Sequence, residues 1–251
     1  MIAYITGSSS GFGKAIALRL AKNGYNLVIT GRRNSLLEAL AQEIRSKYKV
    51  EVLVSSYDVR CLESVKNAVD NLPENWQKID VLVNNAGLAV GLNTIQNGDI
   101  DDWERMIDTN IKGLLYVTRN IAPLMIKQGC GHIINIGSIA GKEVYPCGNV
   151  YCATKHAVDA LTKSMRMDML KDGIKVTQIA PGAAETEFSL VRFKGNKQAA
   201  SNVYQGFTPL SADDIADVVE YVVNLPKHVC LNDIVMTPLA QASATNICRQ
   251  V

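Results

Sequence analysis

No stretch of this chain approaches the ~20 consecutive apolar residues that a membrane-spanning helix needs. The opening Met1-Ile2-Ala3-Tyr4-Ile5-Thr6-Gly7 is too short for the core of a secretory signal and lacks a basic lead-in. Cysteine occurs six times, at 61, 130, 147, 152, 230 and 248, but never as a C-x-x-C pair or at metal-ligand spacing. We therefore expect reduced, mostly buried thiols in a cytoplasmic protein. The three histidines, His132, His156 and His228, form no ligand pattern, and no metal is expected. Basic and acidic residues nearly balance, 26 against 24, so there is no basic stripe for nucleic acid or a membrane surface. Low-complexity tracts, internal repeats and Pro/Gly/Ser-rich linkers are also lacking. What remains is a 251-residue chain, 47% hydrophobic, able to bury one large core. We read it as one domain, 1–251.

Apolar, β-rich runs alternate with helical patterns from end to end. Strands are predicted at Ile2–Thr6, Asn26–Thr30, Val50–Ser55, Ile79–Asn84, His132–Gly137, Lys175–Ala180 and Asp233–Met236. Helices are predicted at Phe12–Lys22, Ser35–Lys47, Leu62–Leu72, Asp101–Asn120, Val150–Lys171 and Ala212–Asn224. Near-continuous apolar strands separated by helices imply a parallel sheet covered on both faces. Right-handed crossovers make it an α/β, doubly wound, seven-stranded sheet of the Rossmann type. One segment, 185–207, has no clear period and follows a strand's carboxyl end, the position of a lid over a binding site.

The first strand runs into Thr6-Gly7-Ser8-Ser9-Ser10-Gly11-Phe12-Gly13-Lys14 and opens a helix. Glycines at such a turn let backbone N–H groups approach a pyrophosphate, and the helix N-terminus adds partial positive charge. A plain strand-to-helix turn needs one glycine, not three. Gly-x-x-x-Gly-x-Gly resembles the loop of the short-chain dehydrogenase/reductase family. Further motifs follow in order: Asn84-Asn85-Ala86-Gly87, Ser138, Tyr151-Cys152-Ala153-Thr154-Lys155 and Pro181-Gly182. The resemblance covers essentially the whole chain. It implies a cofactor site that includes Gly7, Ser8, Ser9, Ser10, Gly11, Phe12 and Gly13. It also implies contacts from Asp58 and Val59 at adenine, from Asn85, Ala86 and Gly87, and from Pro181, Gly182 and Thr186. After Pro181-Gly182 the chain has Ala184 where many members carry valine, which weakens the carry-over at Thr186.

Strand two ends in Thr30-Gly31-Arg32-Arg33. An NAD site normally offers a carboxylate there for the ribose 2′-hydroxyl. Two arginines stand in its place, and a guanidinium takes a 2′-phosphate through paired charge-assisted bonds. A solvated arginine pair is the alternative, but cations are poorly placed at a helix start. NADP is the expected cofactor.

Tyr151 and Lys155 lie four apart on a helix and share a face. A free tyrosine titrates near 10, and a neighbouring ammonium would lower that value, making the phenol a usable acid/base beside a hydride acceptor. Lys155 would also hold the nicotinamide ribose. Ser138 follows strand five and would donate to the substrate oxygen. Ser138-Ile139-Ala140 is no G-x-S-x-G nucleophile elbow. By resemblance, Asn110 holds a proton-relay water near the lysine, and members of this size are usually homotetramers built partly through the helices flanking strand five.

Thr186-Glu187-Phe188-Ser189-Leu190-Val191-Arg192-Phe193-Lys194-Gly195, with Asp102-Trp103 and Gly148-Asn149-Val150-Tyr151, resembles a bacterial subgroup of NADP-dependent serine and 3-hydroxy acid dehydrogenases that also take L-allo-threonine. The implied substrate carries a carboxylate, which Arg192 or Lys194 could neutralise; both could equally be solvated lid charges. The rival activity is a carbonyl or 3-ketoacyl reductase of a larger substrate. A rival of another class is a non-catalytic nucleotide sensor, and such proteins commonly lack the tyrosine or lysine.

Overall fold

In the computed structural model, which describes residues 1–250, the expected sheet is present. Its strands are β1 (Ile2–Ile5), β2 (Asn26–Gly31), β3 (Val52–Ser56), β4 (Val81–Asn84), β5 (Gly131–Ile136), β6 (Ile174–Pro181) and β7 (Asp233–Met236). All pair in parallel, in the order β3-β2-β1-β4-β5-β6-β7. The order reverses between β1 and β4, which opens a crevice at their carboxyl ends, where doubly wound sheets bind ligands.

The central strands are largely apolar on both sides because each side meets helices. Ile5, Leu27, Ile29, Val83 and Ile134 face α1 (Gly11–Lys22), α2 (Asn34–Lys47) and α9 (Ala212–Val223). Their neighbours Tyr4, Val28, Leu82 and Ile133 face α3 (Leu62–Asp70), α5 (Leu114–Gln128) and α6 (Asn149–Asp168). Many of these side chains are wholly inaccessible, each stabilising by roughly 1.5–3 kcal/mol relative to exposure.

The structure differs from the sequence reading in three places. The helix expected over Asp101–Asn120 is α4 (Ile100–Ile107), a π-helical turn (Asp108–Gly113) and α5, which runs on through Pro123 to Gln128 before Gly129 ends it in a left-handed conformation. The segment 185–207 contains two short helices, α7 (Glu187–Arg192) and α8 (Lys197–Asn202). Six residues are too few to display a helical period. The cysteines are not mostly buried: Cys61, Cys130 and Cys248 are exposed, and only Cys152 is fully buried.

Candidate active site

A cavity of about 520 Å³ opens above the β1/β4 crevice. Gly7, Ser9, Ser10, Gly11, Phe12, Arg32, Arg33, Asp58, Val59, Asn85, Ala86, Gly87, Ser138, Tyr151, Lys155, Pro181, Gly182, Thr186 and Arg192 all lie on its wall. Residues scattered over 185 positions meet there because every one follows a strand's carboxyl end.

Ser8, Gly13 and Asn110 do not line it, and nor does Lys194, taken up below. Ser8 is buried, with its hydroxyl on the Ile5 carbonyl at 2.9 Å and its N–H on Thr30 O at 2.8 Å, so it ties β1 to β2. At Gly13 a Cβ would stand 2.3 Å from Gly7 O, so the glycine serves close packing of α1 under the loop. Asn110 is buried in the π turn. Its amide protons go to Leu88 O (2.8 Å) and Thr154 Oγ1 (3.0 Å), while its oxygen accepts from Leu88 N–H. Thr154 in turn donates to Tyr151 O. Asn110 thus positions the helix that carries the tyrosine.

The glycine loop suits a phosphate group. Gly7 and Gly11 have φ of +68° and +53°, which side chains rarely adopt. The N-terminus of α1 has no side-chain cap and no acid in its first turn, leaving its N–H dipoles for an anion. Thr6, which sequence reasoning passed over, accepts the N–H groups of Asn85 and Ala86 at 3.0 Å each and fixes the opposite wall. Arg33 turns one edge of its guanidinium onto the Ser9 and Ser10 hydroxyls and Nη1 onto Glu187 at 3.1 Å. Arg32 is 61% exposed, and its nearest acid, Asp58, is 4.0 Å away. Asp58 is instead gripped by Arg60 through both oxygens, at 2.7–3.1 Å. Cations outnumber acids around this corner, as a phosphate requires.

At the other end, Ser138 Oγ accepts from Ala140 N–H and donates to Pro181 O at 3.4 Å. Lys155 donates to Ile136 O at 2.9 Å and stands 6.0 Å from the Tyr151 ring centre. A depressed tyrosine pKa was expected from that lysine. Burial wins instead: it holds Tyr151 above its ordinary value, Tyr145 adds to the effect, and Ser138 and Arg192 partly oppose it. Burial also brings Lys155 down to about 8. Arg192 caps this end. Its guanidinium carbon is 5.2 Å from the Tyr145 ring centre and 5.7 Å from that of Tyr151, within cation–π range. Its Nε is buried without a hydrogen-bond partner. Lys194, the other expected carboxylate ligand, is off the wall and bound to Asp102 and Asp99.

Tyr145, Phe188, Gln241, Ala244 and Ile247 also line the cavity and were not anticipated. Phe188 packs on Tyr151 with centroids 5.7 Å apart. Arg60, next to Asp58-Val59, was within reach of sequence reasoning as the carboxylate's neighbour. The tail residues carry no local signal.

Residues 1–196 match the family model described as short chain dehydrogenase. The chain belongs to the short-chain dehydrogenase/reductase family. It is 44% identical over 245 residues to the NADP-dependent 3-hydroxy acid dehydrogenase YdfG of Salmonella typhi, covering 97% of both chains. It is 45% identical over 240 residues to a sulfoacetaldehyde reductase of Chromohalobacter salexigens, covering 95% of this chain and 94% of the relative. The closed form of a serine dehydrogenase complexed with NADP+ superposes with a TM-score of 0.94 at 41% identity, with both chains covered in full.

Proposed function

We propose that this protein is an NADP-dependent oxidoreductase that transfers hydride between the nicotinamide and the hydroxyl-bearing carbon of a small 3-hydroxy acid. Serine, L-allo-threonine and 3-hydroxypropionate represent the class. The observation that carries the reading is Arg192: a cation in the cavity, stacked on Tyr151, whose Nε has no acceptor within the protein. A half-buried guanidinium whose Nε is enclosed without an acceptor calls for an anionic ligand. In a 3-hydroxy acid one carbon separates the reacting carbon from the carboxylate, so the anion meets Arg192 while the oxygen meets Tyr151.

Bound NADP supplies the hydride acceptor, and NADPH the donor in reverse. Backbone N–H groups at Gly7 and Ser9 to Phe12 would hold the pyrophosphate, with Asn85, Ala86 and Gly87 opposite. Arg32, Arg33 and Ser9 would hold the 2′-phosphate, Asp58 and Val59 the adenine, and Pro181, Gly182 and Thr186 the nicotinamide side. Ser138 donates to the substrate oxygen. Tyr151 gives or takes the proton there. Lys155 supports the phenol, and Asn110 fixes the helix beneath. A phenol kept protonated by burial is suited to donating during carbonyl reduction.

A second reading is supported by the sulfoacetaldehyde reductase relative. Sulfoacetaldehyde also places one carbon between its reacting carbon and its anion, so the same guanidinium serves. We further propose a homotetramer, supported by the apolar side chains Leu115, Ile126 and Met167 exposed on the helices flanking β5. A cytoplasmic location is supported by three exposed free cysteines, which suit a reducing compartment. Sedimentation and fractionation test these two points.

Steady-state oxidation of 3-hydroxypropionate, serine and propan-1-ol with NADP and with NAD tests the activity. NADP and the acids should be preferred, and Arg192→Ala should raise KM for the acids by ~10–100-fold while leaving KM for propan-1-ol unchanged, because one charge-assisted contact is worth roughly 1.5–3 kcal/mol. Equal effects on acid and alcohol would remove the proposed role.

A further inference from the structure

The lid meets the substrate end of the cavity at Phe188 and at Arg192, the last residue of α7, after which the chain turns away at once. Lys194 has φ +50° and Gly195 φ +88°, so the backbone doubles back within three residues. That reversal sends the Lys194 side chain onto α4, where Nζ lies 2.8 Å from Asp102 Oδ2 and 3.2 Å from Asp99 Oδ2. Asp99 is at the surface. Asp102 is not: only 3% of it is accessible. Its other oxygen is 3.8 Å from Arg105 Nη1.

A second tie joins the same two stretches. Gly91 N–H donates to Arg192 O at 3.0 Å. A Cβ at Gly91 would come within 2.6 Å of Asp102 Oδ2, so the 88–93 loop is closed tightly against that carboxylate. Asp102 therefore touches both the loop that holds Arg192's backbone and the lysine two residues beyond Arg192. Trp103, its neighbour on α4, packs with Phe188 and Tyr145 in the apolar cluster around Tyr151.

We propose that Asp102 and Lys194 form a clasp that holds Arg192 over Tyr151, and that this clasp sets the enzyme's affinity for acidic substrates. The inference rests on the reading of Arg192 as the substrate-anion ligand. Lys194 acts as a positioning residue: it does not line the cavity and meets no substrate. An attraction to a nearly buried carboxylate is less screened than a surface pair, so it can bias the lid. Without Lys194 the carboxylate keeps Arg105 nearby, and the core around it is unaltered. The lid end alone is released, and Arg192 loses its fixed approach to the ring.

The test compares Lys194→Gln, Lys194→Arg and Arg192→Ala in the full-length enzyme saturated with NADP. We expect Lys194→Gln to raise KM for 3-hydroxypropionate five- to twentyfold, with its kcat and all propan-1-ol kinetics unchanged. Lys194→Arg should recover most of the loss. In the NADP-bound protein, hydrogen exchange at residues 186–203 should be faster in Lys194→Gln than in the parent. Unchanged exchange and unchanged KM overturn the clasp, as does a loss shared equally by acid and alcohol. Failure of the underlying reading has a separate signature: Arg192→Ala would leave 3-hydroxypropionate untouched, whereas exchange at 186–203 would still respond to Lys194→Gln if the clasp is real.

Discussion

Tyr151 and Arg192 share one small volume, and each alters the other. Burial disfavours the phenolate, while the guanidinium 5.7 Å from the ring and the Ser138 hydroxyl favour it. A substrate carboxylate on Arg192 would neutralise part of that favourable field just as the substrate oxygen comes within reach of Ser138 and Tyr151. On that basis Tyr151→Phe should lower kcat/KM by ~10²–10⁴-fold, the usual worth of a positioned acid/base, and leave NADPH affinity within about twofold by fluorescence titration. A folded Phe variant with native turnover would refute the assignment of the proton-transferring group. The side chains proposed for this chemistry could be picked out in the sequence, because Tyr151 and Lys155 sit four apart on one helix and Ser138 closely follows β5. The sign of the tyrosine's shift was not legible, since it depends on how completely the ring is buried, and burial is set by Phe188, Tyr145 and Arg192 from outside the helix.

Among the elements, the strands were readable almost residue by residue, because apolar runs such as Ile133-Ile134 and Leu82-Val83 serve both faces of a parallel sheet. The π turn was not, since nothing in Asp108-Thr109-Asn110 distinguishes it from an ordinary helix; only Asn110's bonds to Leu88 and Thr154 show what it accomplishes. His132 gives β5 a testable liability. It is 4% accessible, its Nε2 meets Thr177 Oγ1 at 2.7 Å, and its Nδ1 has no partner. Burial, helped by Lys175, brings its pKa down from 6.5 to about 3. The unfolded chain then binds a proton below pH 6.5 that the folded chain refuses until about pH 3, so stability falls as pH drops through this window. Between pH 7 and pH 5 the loss from this group should be about 2 kcal/mol. Urea denaturation at fixed protein concentration should show that loss, and His132→Gln should remove most of it. A variant with the parent's slope would show that other groups carry the acid sensitivity.

At the scale of the whole molecule, the cavity is finished by a stretch with no motif at all. After β7 the chain crosses back over the site: Gln241 Oε1 accepts Ala183 N–H at 2.8 Å, and Ala244 N–H donates to Glu143 Oε2 at 2.8 Å. Ala244 and Ile247 become part of the wall. Beyond them Arg249 bonds the carbonyls of Val203 and Gln205 and stacks on Phe207, while Gln250 N–H meets Gly206 O. The far end of the lid is thereby fixed to the tail, as its near end is to α4. These pairings link residues 42 to 101 positions apart, which is why no local pattern announced them. A chain ending at Gln241 keeps the bond to Ala183 but loses the wall and the second lid anchor. The residues removed are largely exposed or half-buried, so the melting temperature should fall by only a few degrees, at roughly 2–4 °C per kcal/mol for a domain of this size. Substrate binding should suffer more, with KM rising about tenfold for 3-hydroxypropionate and propan-1-ol alike, because the tail completes the cavity wall at Ala244 and Ile247. That shared loss separates the tail from Lys194, whose replacement should penalise the acid alone; an acid-selective defect in the truncated chain would mean that the tail acts through Arg192 after all.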